Sequence, residues 1–294
     1  MKGMQHVLIL MAPNRELSPA LIGRVQDAVR GGTPVTLSPG EAVEIPCEGP
    51  DPALIHAALD AAPVDAVVLP AAGRRKRLLI ADMDSTIVTT ETLDELAAYA
   101  GLRDEIAAIT KRSMNGEIDF AAALRERVGM LKGLAVSALE STWSETRLMP
   151  GALDLVRTMR AHGAHTALVS GGFTWFTGRV ATQCGFHTHR ANVLLDDGTA
   201  LTGLVGEPIL DRDAKLATLR ELAAAHGLTM TECLAVGDGA NDLAMIQAAG
   251  LGVAYHAKPI VASAAAVRIE HCGLRALLFL QGYGNVDIAA ASTL

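Results

Sequence analysis

Two apolar runs in this chain stop abruptly at acids. Leu78-Leu79-Ile80-Ala81 leads into Asp82-Met83-Asp84-Ser85-Thr86, and Cys233-Leu234-Ala235-Val236 leads into Gly237-Asp238-Gly239-Ala240-Asn241-Asp242. Runs of this kind read as buried parallel strands, and open α/β sheets bind ligands at the carboxyl ends of their strands. If the first strand stays extended through Asp84, the side chains of Asp82 and Asp84 face the same way. Two carboxylates that close repel, so a folded chain keeps them with a cation or a shared proton. Taken alone, the stretch reads equally well as an acidic turn after a strand. Two further pieces point to an anion. Ser170-Gly171-Gly172 separates an apolar run from a helical pattern, where backbone N–H groups can cradle an anion or simply form a tight turn. Lys215 falls in the first turn of a helical pattern, where the helix dipole disfavours a cation unless an anion lies nearby.

The elements that carry these residues follow from periodicity. Val7 to Ala12 predicts a strand, Pro19 to Val29 a helix, Pro34 to Cys47 a hairpin around Pro39-Gly40, Asp51 to Ala61 a helix, and Val64 to Leu69 a strand. The order βαββαβ is that of a ferredoxin-like α+β unit. No cluster of chemistry-bearing side chains lies in it, so it reads as a regulatory or oligomerisation domain, or as a packing extension of the rest. The unit is therefore expected to be dispensable for chemistry. Ala71 to Arg77 reads as a linker, with the basic run Arg74-Arg75-Lys76-Arg77 solvated. This divides the chain into residues 1–72 and 73–294. From Glu91 to Met149 the pattern is helical almost throughout, a cap inserted after the first strand of the second unit; such caps exclude water and select substrates. Pro150-Gly151 restarts an α/β rhythm: helix 152–161, strand 165–169, a helix after Phe173, a hairpin around Asp196-Asp197-Gly198, helix 214–225, strand 233–236, strand 250–254, a helix from Lys258-Pro259, and a last apolar helix from Leu274 to Leu280.

Composition narrows the classes. A length of 294 residues predicts about two domains, and 50% hydrophobic content supplies a sizeable core. A net charge of −7 and 3% aromatic residues give no basic surface or stacking platform for nucleic acid. The four cysteines lie far apart with no C-x-x-C spacing, which predicts free thiols and a cytoplasmic protein. Neither an export signal nor a membrane span is legible.

Asp82/Asp84, Ser170-Gly171, Lys215 and Asp238 with Asn241 and Asp242, in this order on successive α/β units, resemble the signature of the haloacid dehalogenase (HAD) superfamily of phosphohydrolases. The resemblance runs from Leu78 to the C-terminus. It implies a Rossmann-like core with a parallel sheet, the helical cap at about 91–149, and phosphoryl transfer, which asks a protein mainly for positioning and charge neutralisation. Asp82 is then the nucleophile that forms an aspartyl-phosphate, and Asp84 the general acid and base. Mg²⁺ fits a shell of Asp82, the Asp84 main-chain carbonyl and Asp238. Ser170, the Gly171 N–H, Lys215 and Asn241 would meet the phosphoryl group.

Within the superfamily the match narrows to the phosphoserine phosphatases. Asp82 to Val88 followed by Glu91 resembles their first motif, whose glutamate meets the substrate ammonium. Met114-Asn115-Gly116-Glu117-Ile118-Asp119-Phe120, through Leu124-Arg125-Glu126-Arg127-Val128, resembles their substrate-selecting stretch, with Arg127 on the substrate carboxylate and Met114 and Phe120 walling the pocket. Leu216 follows Lys215 where that family often has a glycine. The expected activity is Mg²⁺-dependent hydrolysis of phosphoserine to serine and phosphate, the closing step of serine biosynthesis. The alternative is a related phosphatase or phosphotransferase acting on another small phosphomonoester. A receiver-type phospho-acceptor module is disfavoured by the cap and by Asp84. The N-terminal unit resembles, in topology alone, the small ACT-like domain that precedes longer bacterial members. A homodimer is a possible assembly, with no nucleic-acid or membrane partner.

Overall fold

The computed structural model describes residues 4–115 and 117–292; the side chains of Met114, Arg212 and residues 289–292 lie outside that description. Residues 6–70 run β1 (His6–Met11), α1 (Pro19–Ala28), β2 (Val35–Ser38), β3 (Ala42–Cys47), α2 (Pro52–Leu59) and β4 (Asp65–Pro70). Both helices start on side-chain caps followed by proline: Ser18 accepts from the Leu21 N–H at 3.2 Å and Asp51 from the Ala53 N–H at 2.8 Å. The strands form one antiparallel sheet in the order β2-β3-β1-β4. β1 is apolar on both faces, and its alternation serves two cores. Leu8 and Leu10 pack with Val25 and Ile55 of the helices, whereas Val7, Ile9 and Met11 join the main core of the second half of the chain.

That second half is built on a parallel six-stranded sheet. Its elements are β5 (Leu78–Ala81), α3 (Thr92–Ala98), α4 (Arg103–Met114), α5 (Phe120–Met130), α6 (Ser137–Glu145), α7 (Ala152–Ala161), β6 (His165–Phe173), α8 (Thr174–Cys184), β7 (Thr188–Asn192), β8 (Leu194–Asp196), β9 (Leu201–Val205), α9 (Arg212–Ala225), β10 (Cys233–Gly237), α10 (Leu243–Ala248), β11 (Leu251–Tyr255), α11 (Pro259–Ala264), β12 (Val267–Ile269), α12 (Ala276–Leu280) and α13 (Asn285–Ser292). The sheet order is β12-β11-β10-β5-β6-β7, every pair parallel. β5 sits centrally, and the chain leaves it toward β6 on one side and returns to β10 on the other. This is a topological switch point, where the carboxyl ends of open sheets bind ligands. Along β5 and β10 successive residues alternate between two cores: Leu78, Ile80, Cys233 and Ala235 on one face, Leu79, Ala81, Leu234 and Val236 on the other.

The cap comprises α3 to α6 and leaves the core through a short stem. Val88 pairs with Leu148 in an isolated antiparallel bridge, with Thr89 N–H donating to Arg147 O at 2.9 Å and Met149 N–H to Ile87 O at 2.8 Å. The β8–β9 hairpin braces the cap from outside. The Leu201 N–H donates to Leu134 O, and the Gly133 N–H to Leu201 O, each at 2.8 Å.

Three elements were not expected from the sequence. β7 reads Thr-His-Arg-Ala-Asn, an edge strand with one face exposed and no apolar run; β12 has three residues; α13 follows the last expected helix. The basic run is solvated only in part: Arg75 and Arg77 are exposed, whereas Arg74 is half-buried and Lys76 buried. Arg74 pairs with Glu44 at 2.7 Å, Arg75 lies 4.3 Å from the Tyr283 ring centroid, and Lys76 is buried, its Nζ donating to Gly73 O and Thr231 O at 2.8 Å each. These contacts fasten the linker to both halves of the chain. Among the described residues no helix is long and apolar enough to cross a membrane.

Candidate active site

Four elements deliver the expected residues to the carboxyl ends of the strands. Asp82 directly follows β5 and still belongs to the ladder, its N–H donating to Val236 O at 3.0 Å. The chain does not stay extended through Asp84. Beyond Asp82 it turns: the N–H groups of Ile87 and Val88 both bond Met83 O, at 2.8 and 2.9 Å, and Ser85 takes φ +54°. Asp84 reaches the same cavity as Asp82 through this turn, and the Thr92 N–H at the start of α3 holds its Oδ1 at 3.0 Å.

Lys215 is fully buried near the start of α9 and bridges two carboxylates, Asp82 Oδ1 at 2.7 Å and Asp242 Oδ1 at 2.6 Å. The anion that its helix position called for is this pair. Burial opposes its charge, but the two carboxylates outweigh that cost and hold the ammonium above its usual range. Asp242 Oδ2 in turn accepts from the N–H groups of Asp238 and Gly239 at 3.2 and 3.0 Å, so it ties Lys215 to the loop after β10. Gly237 is required there, because a Cβ on it would lie 2.3 Å from Asp242 Cγ. Asp238 Oδ1 accepts from Thr86 Oγ1 at 3.2 Å. Its Oδ2 is buried with no hydrogen-bond partner among the described residues, and Lys258 Nζ stands 3.6 Å from it.

Asp82, Asp238 and Asp242 each offer one carboxylate oxygen within 4.8 Å of the others. With the unpartnered Asp238 Oδ2, this all-oxygen set suits a hard divalent cation. It contains the two side chains of the expected ligand set, Asp82 and Asp238, and adds Asp242; the third expected ligand, the Asp84 carbonyl, is a main-chain atom. Since both Asp242 oxygens are engaged by Lys215 and the loop amides, we assign Asp242 to orienting its neighbours. Burial, reinforced by neighbouring carboxylates, pushes Asp84, Glu91 and Asp238 up to about 7 and Asp82 well above the usual carboxylate range.

Near its end β6 carries Ser170-Gly171-Gly172, where its pairing with β7 shifts register before Phe173. Ser170 Oγ accepts from the Gly172 N–H at 2.9 Å, and a Cβ on Gly172 would lie 2.9 Å from Asp84 Oδ2. The loop is anchored by buried Asn192, whose Nδ2 donates to Gly171 O at 2.8 Å and whose Oδ1 accepts from Leu210 N–H at 2.7 Å. Nothing in the local sequence around Asn192 singles it out.

The cap closes the other side. Asp82, Asp84, Ser170, Gly171, Glu91, Phe120, Arg127 and Asn241 line one cavity of about 50 Å³. By the ~10–15 Å³ such a measure assigns to a water, it holds only a few waters. That is a tight fit for a phosphate ester, and the cap that narrows the space joins the core through the short stem at Val88–Leu148. Glu91 accepts from Ser85 Oγ at 2.6 Å. Arg127 is buried, donating from Nε to Ala123 O at 3.2 Å and from Nη1 to Thr110 Oγ1 at 3.0 Å. Phe120 lies over the strand-tip loop, since a Cβ on Gly171 would meet its Cζ at 2.7 Å. The side chain of Met114 lies outside the described residues, as does Gly116 beside it. Thr86, Asp94, Thr110, Asn192 and Lys258 acquire neighbours at the site that their sequence positions did not announce.

The model of the haloacid dehalogenase-like hydrolase family matches residues 76–250. The phosphoserine phosphatase of Streptomyces coelicolor is 42% identical over 221 residues, 75% of this chain and 54% of that protein. The phosphoserine phosphatase of Polaromonas sp. is 44% identical over 210 residues, 69% of this chain and 89% of that one. A solved structure of a probable phosphoserine phosphatase from Vibrio cholerae superposes with a TM-score of 0.79 at 30% identity, covering 99% of this chain and 88% of that chain. This chain spans about half the length of several curated relatives that it matches. The matched span contains the strand-tip acids, Ser170, Lys215 and the whole cap, and on that ground the chain belongs to the haloacid dehalogenase-like hydrolase family.

Proposed function

We propose that the protein is a Mg²⁺-dependent phosphoserine phosphatase that works through an aspartyl-phosphate on Asp82. The observation that carries this reading is the composition of one cavity between the strand tips and the cap. Its floor offers two carboxylates, a hydroxyl and a glycine loop, and its cap side offers Glu91 and Arg127. Phosphoserine differs from a plain alkyl phosphate by one ammonium and one carboxylate, so an acid and a guanidinium are the matching pair. The phosphoserine phosphatases to which this chain is similar support the same reading.

In this mechanism Asp82 attacks phosphorus, and Lys215, 2.7 Å from its Oδ1, holds it in place and balances the charge. Asp84, held up near 7 by burial and by the charge of Asp82, is protonated for a sizeable fraction of the time at neutral pH and can give its proton to the leaving serine alkoxide. It then takes a proton from the water that opens the aspartyl-phosphate. Ser170 and the Gly171 N–H would meet the phosphoryl oxygens, and Asn241, whose Oδ1 is buried with no hydrogen-bond partner among the described residues, lines the same cavity. Asp82, Asp238 and the Asp84 main-chain carbonyl would hold Mg²⁺, which when bound neutralises charge on the phosphoryl group. Glu91 would receive the substrate ammonium, whose charge favours the ionised carboxylate. Arg127 would receive the substrate carboxylate, and Phe120 and Met114 would wall the pocket. We place an ACT-like domain at 1–72 and the phosphatase unit at 73–294, with the cap at about 91–149.

A phosphate-release screen over small phosphomonoesters with Mg²⁺ tests this reading. Phosphoserine should exceed phosphoethanolamine, glycerol phosphate and an aryl phosphate in kcat/KM by at least about tenfold, the effect of ~1.4 kcal/mol in transition-state binding. A better non-amino-acid substrate would replace phosphoserine while leaving the phosphatase chemistry standing.

A further inference from the structure

Three cap helices each contribute one buried polar side chain to a single chain of hydrogen bonds: Asp94 from α3, Thr110 from α4 and Arg127 from α5. Thr110 Oγ1 donates to Asp94 Oδ1 at 2.6 Å and accepts from Arg127 Nη1 at 3.0 Å. The Ile106 carbonyl, at 3.0 Å, competes for the same hydroxyl proton, but the carboxylate is nearer and charged. With the proton committed to Asp94, the oxygen lone pairs face the guanidinium. Nε is separately fixed on Ala123 O. Two points on the planar fork are therefore held by cap residues, which sets the orientation of its other N–H donors. Thr110 and Arg127 both line the cavity that contains Asp82 and Asp84.

We propose that Thr110, with Asp94 behind it, is the positioning residue that sets Arg127 for a substrate carboxylate. This rests on the phosphoserine reading of the same cavity. A long side chain that reaches its ligand already oriented loses less freedom on binding, and a bidentate contact tolerates little rotation of the fork. Asp94 adds a counter-charge that remains in place when the cavity is empty. Its own carboxyl is pushed up by burial and drawn back by Thr110 and by the charge of Arg127. Valine at 110 keeps the shape of threonine but neither donates to Asp94 nor accepts from Arg127.

The test compares phosphoserine with phosphoethanolamine, which keeps the phosphate and the ammonium and lacks the carboxylate. Initial rates with Mg²⁺ are measured for the parent protein, Thr110→Val and Thr110→Ser. The parent should prefer phosphoserine. Thr110→Val should raise KM for phosphoserine by about tenfold to a hundredfold, the range for a lost hydrogen bond to a charged group, with kcat within about threefold. Its loss on phosphoethanolamine should be at least about tenfold smaller than on phosphoserine, a circular-dichroism melt like the parent's should show that the variant is folded, and Thr110→Ser should restore most of the affinity. Equal losses on both substrates, or no rescue by serine, would overturn the positioning role. A parent that prefers phosphoserine with an unaffected Thr110→Val removes this inference alone. A parent that treats the two substrates alike removes the carboxylate reading and this inference together.

Discussion

At the residue scale the site is a set of charges that fold together only because they compensate one another. Lys215 lies between Asp82 and Asp242, and Asp238 keeps one oxygen without a hydrogen bond among the described residues. Asp82→Asn should abolish turnover and phosphoenzyme formation, since an amide is not a nucleophile toward phosphorus; substantial activity in protein checked for deamidation would remove the assignment. The crowding of carboxylates also fixes a pH dependence of stability. Asp84, Glu91 and Asp238 are held up near 7, above the ~4 of an unfolded carboxyl. A group with a raised folded pKa contributes its full stabilisation below the unfolded value and loses it as pH rises through the folded one. The thermal midpoint of metal-free protein should thus receive a falling contribution from this site between about pH 4 and pH 7. Mg²⁺, which binds the ionised carboxylates, should raise the midpoint more at about pH 8 than at about pH 5.5. A metal-induced shift that is equal at both pH values, measured by calorimetry, would show that these acids do not bind the ion.

At the element scale the decisive contact is the cap on the glycine loop. Gly171 takes its place in β6 directly beneath the Phe120 ring, and there is no room between them for a methyl group. Gly171→Ala should therefore hold the cap ajar: kcat/KM for phosphoserine should fall by at least about tenfold while the thermal midpoint moves by only a few degrees. Parent-like kinetics would mean that α5 repacks without cost. Helix patterning showed that residues 91–149 form a cap, because apolar positions recur at helical spacing. It did not show that β8 and β9 brace that cap, since the hairpin lies over a hundred residues from α3 in sequence and its hydrogen bonds to residues 133 and 134 are backbone contacts with no side-chain signature.

At the scale of the whole molecule the N-terminal sheet is bonded into the core. No described residue of 1–72 lines the catalytic cavity, as the expectation of a unit dispensable for chemistry requires. Stability is another matter. Val7, Ile9, Met11, Ala42 and Val67 share one core with Phe279 and Tyr283, and Arg275 holds Glu41 through two bonds, at 2.7 and 2.9 Å. Burying those five side chains is worth on the order of 5–10 kcal/mol. A fragment beginning near Ala71 should aggregate or melt well below the full chain, and polar substitutions on the uncovered face should recover a soluble, active phosphatase. A bare fragment that is monomeric and melts with the full chain would contradict this.

The residue types and their order along the chain were enough to place the acids at strand tips, to expect an anion beside Lys215, and to identify an α/β core with an inserted cap and a βαββαβ unit. Those inferences depend on local periodicity and on motif spacing, which sequence carries directly. Asp82 and Asp84 were paired correctly for an incomplete reason: the strand ends before Asp84, and it is a turn stabilised by Met83 O that brings both into one cavity. Only the tertiary structure could assign Asp242 to Lys215, Asn192 to the Gly171 loop, Thr110 to Arg127, and the basic run 74–77 to Glu44, Tyr283 and Thr231. Each of these partnerships joins residues 17 to more than 200 positions apart. Their energies come from burial and hydrogen-bond geometry, neither of which exists until the chain has folded.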